Sequence, residues 1–199
     1  MLEKKRENFK GISQAAGGFF SKLGFSPNQY TSISLIFVIV SFFFLIRTDF
    51  LLALIFFFLA AILDFIDGAV ARFTQKETKK GAYLDTIADR YVEGIILLGF
   101  LFLPLANFFL PSSIWIFLCL FGSLMTTYAK AAAGEKNLIQ GKIKNGLVGR
   151  TERIILIILA LLLGIISFSW IIYPLVALAV LSNITAFQRI YLNLHPSQD

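Results

Sequence analysis

The chain is poor in nearly everything a water-soluble domain needs. Cysteine occurs once, at Cys119, so no intramolecular disulfide can form, and the redox compartment stays open. Polar residues are scarce: 57% of the 199 residues are hydrophobic, including 22 phenylalanines, and the mean hydropathy is +0.78. A soluble domain of this length is far more polar, and the composition excludes one. Residues 1–26 are polar and basic with no short apolar core ahead of a cleavage site, so no secretory signal peptide is expected. No internal repeat or low-complexity tract stands out beyond the Leu/Ile/Phe bias. Acidic residues are outnumbered 12 to 18 by Lys and Arg, leaving a net charge of +6. In a soluble protein that surplus would point to nucleic acid. Here its distribution assigns it to a membrane, and no nucleic-acid partner is expected.

What the chain does have is long apolar runs. Stretches of about 20 mostly apolar residues mark spanning helices. Six are expected, near 28–46, 51–72, 82–103, 112–133, 151–168 and 170–191. Breaks fall at Arg47-Thr48-Asp49, between Pro104 and Pro111, and between Ser167 and Trp170. The loops 73–80 and 134–150 are polar and rich in Lys, Gly and Asn. An even number of spans puts both termini on one side, and that side holds every one of the 18 Lys and Arg residues except Arg47. By the positive-inside rule the termini and both polar loops are cytoplasmic. The expected fold is an all-α, multi-pass integral protein of the cell membrane, with six transmembrane helices in a domain over 27–199. Ahead of it, over 1–26, Phe9, Ile12, Ala16, Phe19, Phe20 and Leu23 recur at helical spacing downstream of Lys4, Lys5 and Arg6. This pattern predicts an amphipathic juxtamembrane helix on the cytoplasmic surface.

One segment contradicts the lipid environment. Leu63 to Arg72 reads LDFIDGAVAR and closes the second expected span with two aspartates and an arginine. A charge near the bilayer centre costs about 3 kcal/mol or more, so intramembrane acids need a reason. At 1.5 Å per residue, Asp64 and Asp67 lie roughly 12 and 8 Å below the cytoplasmic surface, and Asp85 and Asp89 roughly 6 and 12 Å below it. Asp64, Asp67, Gly68 and Ala71 share one helix face, and Gly81, Asp85 and Asp89 share one face of the next. Four carboxylates in one layer repel one another unless cations neutralise them. Clustered oxygen ligands suit two hard divalent ions, Mg²⁺ or Mn²⁺. The alternative is a set of buried ion pairs, Asp64 and Asp67 with Arg72, and Asp89 with Arg90. It leaves too few bases, and Arg90 is expected to point away from the acidic face. A cation transporter would need polar groups continuing to the far side, and the outer halves of the helices carry almost none.

Written out, the segment is Asp64-x2-Asp67-Gly68-x2-Ala71-Arg72-x8-Gly81-x3-Asp85-x3-Asp89, eight fixed residues over 26 positions. It resembles the signature of the CDP-alcohol phosphatidyltransferase family. That resemblance implies an enzyme that attacks a CDP-alcohol, usually a CDP-lipid, with a second alcohol and releases CMP. It implies metal ligation by Asp64, Asp67 and Asp85. Asp89 would complete the metal site and, chiefly, act as catalytic base. Asp64, Gly68, Ala71, Arg72 and Gly81 would surround the CDP, an arginine fork suiting a diphosphate. Asn28 and Thr31 resemble a family feature near the nucleotide, although Pro27 is equally a helix start. The family also implies a homodimer.

Tyr128-Ala129-Lys130, Gly149-Arg150-Thr151-Glu152-Arg153 and Gln188-Arg189 are similar to the branch that uses inositol 1-phosphate. By that similarity Lys130, Arg153 and Arg189 hold the acceptor phosphate. Arg150 joins this basic set, or else pairs with an acid such as Glu152. The positive-inside rule alone would also place these bases at inner helix ends. Loop 134–148 is long and residues 131–133 are all alanine, departures that bear on the acceptor. Two further pairings stay within the family: CDP-inositol as donor, or glycerol 3-phosphate as acceptor.

Overall fold

The computed structural model describes residues 2–138 and 147–195. The side chains of residues 2–10 and Ile12, and all of Lys142 and Lys144, lie outside the described residues. Phe9, Ile12 and the first basic cluster of the expected amphipathic helix are among them. Seven α-helices follow in order: α1 (Leu2–Ser21), α2 (Pro27–Ile46), α3 (Phe50–Phe73), α4 (Lys79–Leu101), α5 (Ser112–Glu135), α6 (Arg150–Ile166) and α7 (Ile172–Leu194). A 3-10 turn, Phe168–Trp170, separates the last two.

Local chemistry starts and stops these helices at the expected breaks. Pro27 occupies the first turn of α2, where its missing N–H costs nothing, and the Gln29 side chain accepts from the Ser26 N–H at 2.7 Å. Thr48 takes a left-handed φ of 60° between α2 and α3, and Asp49 then caps α3 by accepting from the Leu52 N–H at 3.2 Å. Thr78 caps α4 by accepting from the Gly81 N–H at 3.0 Å. Glu152 accepts from the Gly149 N–H at 2.8 Å at the start of α6.

Among the described residues, four segments are long and apolar enough to cross a membrane: Pro27–Ile46, Phe50–Phe73, Ser112–Glu135, and Phe168–Leu194 taken with its 3-10 turn. The other two expected spans do not meet that standard by themselves. Helix α6 has 17 residues, and α4 carries Asp85, Asp89, Arg90 and Glu93 along its length. Their partners are inside the bundle, as described below.

Packing arranges the six helices after α1 as a closed ring. Helix α2 touches α3 and α4, α4 touches α5, α5 touches α7, α7 touches α6, and α6 returns to α3. Leu45, Phe57, Ile96, Phe100, Ile157 and Leu175 fill the interior and are fully buried. Ile36, Phe43, Phe58, Phe117 and Ile166 point outward and stay exposed, as lipid-facing side chains do. Between apolar helices in lipid, close backbone approach supplies the dispersion contact that water would otherwise enforce. Gly122 provides it between α5 and α7, where a Cβ would lie 2.9 Å from the Asn183 backbone nitrogen.

Helix α1 lies against α3. Ser13 and Gly17 are buried there, whereas Phe19 is 65% exposed and Leu23, just past the helix, is 55% exposed. The expected apolar stripe is therefore divided. Phe20 turns toward the protein, and Phe19 and Leu23 remain free to enter lipid.

Candidate active site

The connection 74–78 joins α3 to α4 closely enough that the last turns of one face the first turns of the other. Asp64, Asp67 and Asp85 meet there, each offering a carboxylate oxygen within 4.8 Å of the others. The i, i+3 spacing on α3 and the position of Asp85 one turn into α4 from Gly81 produce this meeting. Thr31 of α2 donates to Asp67 Oδ2 at 2.7 Å and fixes its rotamer.

The fourth acid is held differently. Asp89 is buried, and the guanidinium of Arg150 lies between it and Asp64: Nη2 is 2.6 Å from Asp64 Oδ1 and 2.5 Å from Asp89 Oδ1. The acids that pair with Arg150 are thus Asp64 and Asp89. Glu152 is occupied with the Gly149 N–H. Arg90 does not point wholly away from the acids, since its Nη2 lies 3.8 Å from Asp89 Oδ2.

The three-acid cluster fits a divalent ion on its donor chemistry. Hard cations take carboxylate oxygens at about 2.0–2.6 Å, so two ligands of one ion sit up to about 4–5 Å apart. Asp67 has Thr31 as its hydrogen-bond partner, and Arg150 reaches only Asp64 within the trio. Three carboxylates facing one cation leave charge for a metal to neutralise.

Beside the acids lies a cavity of about 290 Å³. Asn28, Thr31, Gly68, Ala71, Arg72 and Gly81, all expected around the CDP, line it together with Asp67 and Asp85. The small residues keep it open. A Cβ on Gly68 would lie 3.2 Å from Arg72 Nη1, and one on Gly81 would lie 3.5 Å from Asn28 Oδ1. Asp64, also expected at the CDP, lines a second cleft of about 350 Å³ with Arg150, Phe57, Ala60, Val92 and Ile154. That cleft is apolar apart from Asp64, Arg150 and Thr151 and lies between α3, α4 and α6.

Of the four expected acceptor residues, Arg153 and Arg189 meet at Thr126 of α5, whereas Arg150 lies with the acids. Arg153 Nη1 donates to Thr126 Oγ1 at 3.1 Å, and Arg189 Nη1 donates to the Thr126 carbonyl at 2.6 Å. Lys130 is one turn further along α5 and exposed. Arg153, by contrast, is 2% exposed, and Glu93 accepts from its Nε and Nη2 at 3.1–3.2 Å. Glu93 also lies 3.2 Å from Arg90 Nη2.

Sequence reasoning missed Glu93, although its signal was present. It extends the row Gly81, Asp85, Asp89 by one more step of four residues. It also missed Ser13, whose Oγ accepts from Arg72 Nη2 at 3.0 Å; nothing local marks that serine.

The chain is 32% identical to the archaetidylinositol phosphate synthase of Pyrococcus horikoshii, over 96% of this chain and 95% of that one. It is 36% identical to the bifunctional IPC transferase and DIPP synthase of Archaeoglobus fulgidus, over 79% of this chain and 32% of that protein. The fold matches crystal structures of phosphatidylinositol phosphate synthase from Mycobacterium tuberculosis. The form with CDP-DAG bound gives a TM-score of 0.78 at 22% identity, covering 94% of this chain and 96% of that one. The form with manganese and citrate gives 0.79 at 23% identity, covering 93% and 90%. Residues 25–183 match the family described as CDP-alcohol phosphatidyltransferase, and the chain belongs to that family.

Proposed function

We propose that the protein transfers the phospho-alcohol group of a CDP-lipid, CDP-diacylglycerol or CDP-archaeol, to inositol 1-phosphate and releases CMP. The observation that carries this reading is the opening of the Asp67–Asp85 cluster into a cavity lined by Asn28, Arg72 and Gly81; Arg153 and Arg189, bonded to Thr126, support the acceptor half of it. The chain would act as a homodimer in the cell membrane. All six helices of the ring would span it, with the termini and the site on the cytoplasmic face.

In this mechanism the CDP head occupies the cavity, with Arg72 directed at the diphosphate through its planar fork. The lipid chain follows the apolar cleft that begins at Asp64 and Arg150. Asp64, Asp67 and Asp85 would hold Mg²⁺ or Mn²⁺, two divalent ions with help from Asp89, which would neutralise and polarise the pyrophosphate oxygens. Asp89 takes the proton of the acceptor hydroxyl. The hydroxyl oxygen forms a bond to the lipid-bearing phosphorus, and the bond from that phosphorus to the CMP oxygen breaks, its electron pair leaving with CMP. Lys130 and Arg189 contact the acceptor phosphate, with buried Arg153 beneath them. Arg150 orients Asp64 and Asp89.

The test is CMP release by the purified protein with each donor–acceptor pair. Release with a CDP-lipid and inositol 1-phosphate supports the reading, and its absence with that pair overturns it. Release with CDP-inositol as donor instead would favour the second reading, synthesis of a soluble di-inositol phosphate. The similarity to the Archaeoglobus bifunctional IPC transferase and DIPP synthase motivates that arm. Glycerol 3-phosphate is the remaining acceptor to compare. A transporter is disfavoured by the apolar plug of Phe57, Ile96 and Phe100 in the ring interior.

A further inference from the structure

Helix α1 has two working faces. Phe19 points outward, but the stripe Ser13, Gly17, Phe20 is pressed onto the segment of α3 that carries the donor cavity. The fit is close. A Cβ on Gly17 would lie 2.5 Å from the Ala69 carbonyl oxygen and 2.7 Å from Phe73 Cβ, so any larger residue would lift α1 from α3. One turn on, Phe20 stacks edge-on against Tyr30 with centroids 6.2 Å apart, and the Tyr30 hydroxyl donates to the Phe20 carbonyl at 2.9 Å. Tyr30 packs with Ile66 and Val70 of α3 and precedes Thr31, which holds Asp67.

Within this docked surface one contact is polar and reaches the site. Arg72 Nη2 donates to Ser13 Oγ at 3.0 Å, while the other side of the guanidinium lies over Gly68. Arg72 is otherwise exposed, with a long flexible side chain. Ser13 is buried and cannot follow it outward. An arginine already oriented loses less rotamer freedom when it meets an anion.

We infer that Ser13 is a positioning residue: docking of α1 on α3 presets the Arg72 guanidinium for the diphosphate of the donor. The inference rests on the donor site proposed above. It gives the juxtamembrane helix a part in substrate binding in addition to its contact with the membrane.

The test uses the full chain in lipid–detergent micelles, with binding of CDP in the presence of Mn²⁺ measured by calorimetry alongside steady-state CMP release. Ser13→Ala removes one hydroxyl and is expected to weaken CDP binding and raise the donor KM threefold to tenfold, with the acceptor KM unchanged. Gly17→Ala, which forces the helices apart, is expected to do the same. Gln14→Ala, on the exposed side of α1, is expected to change neither. In an Arg72→Ala background, Ser13→Ala should have no further effect on CDP binding. Unchanged CDP affinity in Ser13→Ala, or the same loss with and without Arg72, would overturn the inference. If the wild type binds CDP yet releases no CMP with any pair, the proposed function fails. A weaker CDP affinity in Ser13→Ala would still sustain the role of α1.

Discussion

The carboxylate of Glu93 compensates two guanidinium groups inside the bundle. It is 1% exposed and bonded by Arg153, itself 2% exposed, through Nε and Nη2, and by Arg90 at 3.2–3.3 Å. Glu93→Ala would remove the only carboxylate on Arg153 among the described residues and leave it with Thr126 alone. Arg90 would keep Asp89 at 3.8 Å and the Ser123 carbonyl at 3.3 Å. Breaking one partner of a buried ion pair costs about 3–5 kcal/mol, because the remaining charge is left uncompensated. With two guanidinium groups affected, the upper end, about 5 kcal/mol, is expected. Removing both charges behaves differently. Glu93→Leu combined with Arg153→Met should recover about 2 kcal/mol or more of the sum of the single losses, since an apolar pair of similar volume replaces the ionic one. Equilibrium unfolding in mixed micelles, followed by tryptophan fluorescence, measures all four corners of the cycle. Strict additivity, or a loss under about 1 kcal/mol for Glu93→Ala, would refute the pairing as the reason α4 can carry charge inside the bundle.

Other outcomes follow from the site. Asp64→Asn, Asp67→Asn and Asp85→Asn should each weaken Mn²⁺ binding about tenfold or more by calorimetry, and chelation should abolish CMP release until Mg²⁺ or Mn²⁺ is restored. Asp89→Asn should lower kcat by about 10²–10⁴ with the donor KM little changed, as expected for loss of a general base, and full activity would remove Asp89 from that role. Lys130→Ala and Arg189→Ala should raise the acceptor KM about tenfold while leaving unfolding stability nearly intact. Arg153→Ala should raise the acceptor KM and also destabilise the fold, because the same side chain neutralises Glu93.

The sequence by itself determined the helices, their breaks and the acid motif. Apolar runs, the Pro27 start and the Asp49 and Thr78 caps are local signals, and helical periodicity is enough to put Asp64 with Asp67 and Asp85 with Asp89. The sequence did not determine how α3 and α4 sit: despite the short link 74–78 the two are not packed on each other, α2 stands between them in the ring, and only their acid-bearing turns converge. Tertiary structure alone decided which charge meets which. Arg150 reaches Asp64 across 86 positions, Arg153 reaches Glu93 across 60, and Arg72 reaches Ser13 across 59. Those pairings depend on the order of helices around the ring and on the rotation of each about its axis. Both are set by packing at interfaces such as Gly122 on α7 and Gly17 on α3, and neither leaves a periodic trace in the residues nearby.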